Sequence, residues 1–232
     1  MIRRLVLLPG MDGTGELYAD FIAAFPYGFD TEIVRYPVDR SLSYSELLCF
    51  VQSATKDSEP FALIAESFST PLAIQFAAMN PHNLKGLILC SGFIASPVLG
   101  LRRLVCSLLA PFIFHVRLPE FAIKLLLVGL DGPSALVSSV NAAIISVRSE
   151  VLSSRLHAVL ACDAREELSR ITVPILYLQA QQDRLVPACC LDEIRRIKPH
   201  ISVAKIDGPH LLFQRKPIET AKIVAEFISR VN

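Results

Sequence analysis

The 232-residue sequence has no CxxC pair, no HExxH motif and no Cys/His spacing of the zinc-binding kind. A metal centre is therefore not expected, and neither is a cofactor; any chemistry should run on side chains alone. Its six cysteines, at 49, 90, 106, 162, 189 and 190, do not form a disulfide pattern. They read as reduced thiols of a cytoplasmic protein. Long basic runs are missing as well. Twenty-three Lys and Arg against 22 Asp and Glu give a formal charge of +1, which leaves no footprint for nucleic acid. The most apolar tract, 98 to 130, is broken by Arg102, Arg103, Arg117, Glu120 and Lys124, so no transmembrane segment is expected. The opening MIRRLVLLPG carries an apolar run of only four residues, which suits a buried first strand better than a secretion leader. The glycine-bearing stretch LLPGMDGTGE contains neither GxxxxGK[ST] nor a helix-opening GxGxxG, which argues against a phosphate loop.

What is present is apolar and regularly punctuated. Apolar residues make up 52% and charged residues 19%, enough to bury one substantial core. Short apolar runs at Ile2–Leu8, Glu32–Tyr36, Phe61–Ala65, Leu84–Cys90, Val173–Leu178 and Ile201–Ile206 read as strands covered on both faces. Helical patterns fall between and after them, at about 44–56, 68–79, 187–197 and 217–230. Alternation of this kind predicts an α/β fold with a mostly parallel sheet of about six strands, flanked by helices. Residues 97–165 break the rhythm, with Pro97, Pro111, Pro119 and Gly132-Pro133 dividing them into short helical pieces. We read 1–96 and 166–232 as the core and 97–165 as a helical cap that leaves from the carboxyl edge of the sheet, where ligands bind in such folds.

The chemistry-bearing stretch is FALIAESFSTPLAIQFAAMN, in which Ser67 falls between a strand and a helix. Such a turn lifts a hydroxyl out of the sheet and places the next peptide N–H at a positive helix start. Ser67 or Ser69 could equally be an N-cap. Two later loops weigh against that. Asp183 follows the strand VPILYLQA, and His210 follows ISVAKI, so all three side chains are expected on one sheet edge. His210 would take the Ser67 proton, and Asp183 would hold the imidazole. Asp207 is a rival acid, read as a turn carboxylate. Glu66 reads as a substrate contact or as a solvated or locally bonded carboxylate. The backbone N–H groups of Met11 and Phe68 would form the oxyanion hole, provided Asp12 turns away.

These residues resemble the α/β-hydrolase superfamily from about Arg4 to Phe227, and the chain is similar to compact cytosolic carboxylesterases. The LPGMDGTG stretch carries a weaker resemblance to an esterase- or acyltransferase-like subgroup. The resemblance implies Ser67 as nucleophile, Asp183 as triad acid, His210 as base and Met11 and Phe68 as oxyanion donors. It also implies strand order 2-1-3-4-5-6 and a helical cap over the site. Two departures stand out: Pro9-Gly10 replaces His-Gly before the oxyanion donor, and Ala65 and Ser69 replace the glycines of G-x-S-x-G. The expected activity is a serine esterase acting on esters or thioesters of small to medium apolar acyl groups. An acyltransferase and a non-catalytic binding protein are the alternatives. Phe93, Phe112, Phe114 and Phe121 are expected to line the acyl pocket or to pack the underside of the cap. The partner is a small-molecule ester, and a monomer or a homodimer formed through an apolar cap fits the composition.

Overall fold

Strands that are apolar on both faces must be covered on both faces. The computed structural model describes residues 2–26, 28–57, 59–98, 100–115 and 118–231. In chain order its elements are β1 (Arg4–Leu8), α1 (Ala19–Ala23), β2 (Asp30–Ile33), α2 (Tyr44–Ala54), β3 (Phe61–Glu66), α3 (Thr70–Ala77) and β4 (Leu84–Cys90). Then come α4 (Gly100–Ile113), α5 (Glu120–Ile123), α6 (Ser134–Ile145), α7 (Ser149–Ala161), α8 (Arg165–Arg170) and β5 (Ile175–Ala180). The chain closes with α9 (Cys189–Ile197), β6 (Ser202–Ile206), α10 (Leu212–Arg215) and α11 (Pro217–Val231). The six strands form one sheet in the order β2-β1-β3-β4-β5-β6, and every pairing is parallel.

Alternate residues of each strand feed two separate cores. Val6, Leu63, Leu87 and Ile175 face one layer, where they pack with residues of α2, α3, α8 and α9. Leu5, Ala62, Ile88 and Leu176 face the other, with α1, α10 and α11. The period-2 alternation of a pleated strand sorts them.

Three strands sit off their expected positions by two residues or more; β1 starts at Arg4 rather than Ile2. β2 ends at Ile33 instead of Tyr36, because the Tyr36 N–H donates to the Gly13 carbonyl at 2.8 Å rather than continuing a ladder. β5 starts at Ile175 rather than Val173: Pro174 has no N–H to give, and its carbonyl accepts from Leu87 at 3.0 Å. The short α1, α8 and α10 were not foreseen; helices this short carry too few periods to register in a sequence pattern.

The helices α4 to α7 leave after β4 and return before β5, forming a cap over the carboxyl ends of the strands. Ile123, Val128, Val137 and Val140 of the cap pack around Leu211 of the body. Val147, Val151 and Leu152 pack against Met11 and Val38. Among the described residues, no single helix is long and apolar enough to cross a membrane.

Candidate active site

β3 is wholly buried and runs without a loop into a 3-10 turn, Ser67–Ser69, which opens into α3. Ser67 is held at φ 47°, a left-handed conformation that costs a side-chain-bearing residue roughly 1–2 kcal/mol. That turn directs its hydroxyl out of the sheet. Ser69 stands at the N-cap position of α3 but makes no side-chain cap bond to it. Its hydroxyl donates to the Pro9 carbonyl and accepts from the Tyr36 hydroxyl at 2.7 Å. The side chain that replaces the usual glycine thus ties the turn to the loop after β1.

Ser67 Oγ lies 2.9 Å from His210 Nε2, and His210 Nδ1 lies 2.8 Å from Asp183 Oδ2. The other carboxylate oxygen, Asp183 Oδ1, accepts from the N–H groups of Leu185 and Val186 at 2.8 and 2.9 Å. The His210 loop is anchored at its own carbonyl, which accepts from the Ser91 hydroxyl at 2.9 Å. Burial alone would disfavour the imidazolium. The charge and hydrogen bond of Asp183, with Glu66 adding, outweigh it and hold the His210 pKa above its ordinary value. Asp207, the rival acid, is exposed and accepts from Gln182 Nε2 at 2.7 Å. It takes no part in this chain of bonds.

The loop after β1 carries Met11, the residue expected to donate to an oxyanion. Asp12 turns its carboxylate back on the chain, accepting from the Thr14 N–H at 2.8 Å. Phe68 lies in the first turn of a helix, where an N–H has no preceding helical carbonyl to meet. One residue that holds this loop was not legible in the sequence. Arg155 of α7, 2% exposed, donates to the carbonyls of Met11 and Asp12, both at 2.7 Å, and of Pro37 at 2.9 Å. Its guanidinium also lies over the rings of Tyr36 and Phe68, at 5.7 and 5.9 Å from their centroids. Gly13 is required beneath it. Its φ is 72°, and a Cβ there would stand 2.7 Å from Arg155 Nη1.

No family model and no curated relative matches the chain. Solved structures do. A hydrolase from Oleispira antarctica superposes with TM-score 0.85 at 13% identity, over 99% of this chain and 92% of that one. An enol-lactonase from Burkholderia xenovorans LB400 gives 0.82 at 16%, with the same two coverages. A bromoperoxidase from Bacillus anthracis gives 0.85 at 12%, again over 99% and 92%. The chain has the α/β-hydrolase fold. Names as different as these on one fold mean that function must be argued from the site.

Between the cap and the hydrolase body lies a cavity of about 290 Å³. Ser67, His210, Gly10, Met11 and Glu66 line it on the body side, and Phe114, Leu118, Val140 and Ile144 on the cap side. Of the four phenylalanines expected there, only Phe114 is in the wall. Phe93 is a core residue, 2% exposed, fixed by Thr70 through its N–H. Phe112 and Phe121 are 69% and 66% exposed and point away from the cavity. The expectation fails for these three because composition marks a cap as apolar without fixing which face turns inward.

Of the readings open for Glu66, the solvated one is excluded. The side chain is buried, and its Oε2 accepts a long bond from Gln214 Nε2 at 3.4 Å. Glu66 Oε1 and Gln214 Oε1 have no hydrogen-bond partner. Burial raises the carboxyl pKa from 4.5 to about 7, with His210 opposing and Asp12 adding to the rise. His115 and His157 lie outside the cavity, in a separate surface depression with Glu150. Among the described residues, no three His, Cys, Asp or Glu side chains cluster as metal ligands would.

Proposed function

We propose that this protein is a serine hydrolase that cleaves carboxylic esters or thioesters of small to medium apolar acyl groups through an acyl-enzyme. The observation that carries this reading is the unbroken chain of hydrogen bonds Ser67–His210–Asp183 at the floor of an apolar cavity. The similarity to a hydrolase and an enol-lactonase supports it.

The substrate carbonyl enters with its acyl chain under the cap. Ser67 Oγ attacks the carbonyl carbon as His210 Nε2 takes the hydroxyl proton, and Asp183 stabilises the imidazolium that forms. The tetrahedral oxygen carries the negative charge into the N–H groups of Met11 and Phe68. Its collapse breaks the bond to the leaving oxygen or sulfur, which receives the proton from His210. Water then enters, gives its proton to the same nitrogen, and attacks the acyl-enzyme; the acid leaves and Ser67 is restored.

The test is turnover of p-nitrophenyl esters of rising acyl length by the parent and by Ser67→Ala. A loss of ~10³-fold or more is expected in the variant. Equal rates in the two proteins would refute Ser67 as nucleophile. Adding a competing alcohol separates hydrolysis from acyl transfer, since a transfer product that dominates at low alcohol would mark an acyltransferase.

A further inference from the structure

The helix α4 is apolar on the wrong side for a helix that merely covers a site. Leu101, Leu104, Val105, Leu108, Leu109 and Phe112 are between 44% and 76% exposed. They recur at three- and four-residue intervals and so fall on one stripe. The opposite face carries Cys106, Ser107 and Ala110, which turn toward the protein. That inner face is held to α7 by polar bonds: the Ser153 hydroxyl donates to the Ala110 carbonyl at 2.6 Å, and His157 Nε2 sits 3.1 Å from the Ser107 carbonyl. A helix packing on a body normally buries its apolar stripe. Here small and polar groups face inward while six large apolar side chains face water.

We propose that this outer face docks on the surface of an anionic lipid bilayer. Three observations favour that occupant. The helix is 14 residues long, about 21 Å at the α-helical rise, which suits lying along an interface and is too short to span one. Its charge has one sign: α4 contains Arg102 and Arg103 and no Asp or Glu, and the exposed Arg102 flanks the apolar stripe. A guanidinium so placed reaches phosphate headgroups while its stem lies along apolar surface. Finally, α4 ends in the cavity wall, where Ile113 and the partly exposed Leu126 both stand. A docked helix thereby brings the apolar cavity beside the lipid phase that holds apolar substrates.

Vesicle binding is read without turnover, so this proposal and the esterase reading fail separately. The full chain is floated with phosphatidylcholine vesicles, with and without about one-third phosphatidylglycerol, at low and high salt. Binding to the anionic vesicles that weakens with salt is expected. Leu104→Glu combined with Leu108→Glu should lower it at least ~10-fold with an unchanged thermal transition, since both side chains are exposed. Arg102→Glu should weaken it about 5-fold or more. A parent that floats with neither vesicle, or a double variant that floats as well as the parent, overturns the proposal. So does a parent that sediments as a dimer, ignores vesicles and becomes monomeric in the double variant, a result that assigns the face to a second copy.

Discussion

Replacing Glu66 with glutamine keeps the shape of the side chain and removes its titration. In the folded protein the carboxyl is buried with one oxygen unpartnered, and its pKa stands at about 7 against an ordinary 4.5. A raised folded-state pKa means that the folded chain holds this proton more tightly than the unfolded chain. The corresponding stability is fully present below pH 4.5 and is lost as pH climbs to about 7. Integrated between pH 5 and pH 8, those two values give a loss of about 2–3 kcal/mol. For a chain of this length that is a fall of roughly 5–10 °C in Tm. Glu66→Gln lacks the effect, and its amide can donate to the orphaned Gln214 Oε1. Scanning calorimetry of both proteins across that pH range should show the variant gaining on the parent by about this amount as pH rises. A Tm difference that stays constant from pH 5 to pH 8 would refute a Glu66 carboxyl whose pKa is raised by burial.

Two further outcomes follow from the site. Because Asp183 and Glu66 hold the His210 pKa above its ordinary value of 6.5, the acid limb of kcat/KM should lie above pH 6.5, with activity lost as pH falls through it. Asp183→Asn should move that limb downward and lower kcat by up to ~10⁴-fold; an unmoved limb would show that Asp183 does not set the imidazole. Arg155→Met should leave the carbonyls of Met11, Asp12 and Pro37 without their donor. Each orphaned group costs about 1–3 kcal/mol, and a loosened oxyanion loop should lower kcat by about 10–100-fold. A variant that unfolds at a lower temperature yet keeps the parent's kcat would make Arg155 a purely structural residue.

Local pattern reached the sheet because its information is local. Apolar runs with turns between them define strands, alternation with helices dictates parallel crossovers, and parallel crossovers place Ser67, Asp183 and His210 at one edge. The cap was legible as the place where that rhythm stops. Less was legible in the turn at Ser67. Ser69 stands where a glycine is usual, and nothing in its neighbourhood says that its hydroxyl finds the Pro9 carbonyl and the Tyr36 hydroxyl, 60 and 33 residues away.

The order of the chain by itself thus determined the α/β class and which three side chains could meet, while the strand order came from the resemblance. Only the tertiary structure decided the rest. It placed Arg155 over a loop 144 residues earlier, shut Glu66 away from water beside the serine, and turned Phe112 outward while Phe114 faced the cavity. Each of these depends on which surface a neighbouring element presents. Burial and hydrogen-bond partners are set by packing between segments, and a periodic pattern within one segment does not encode them.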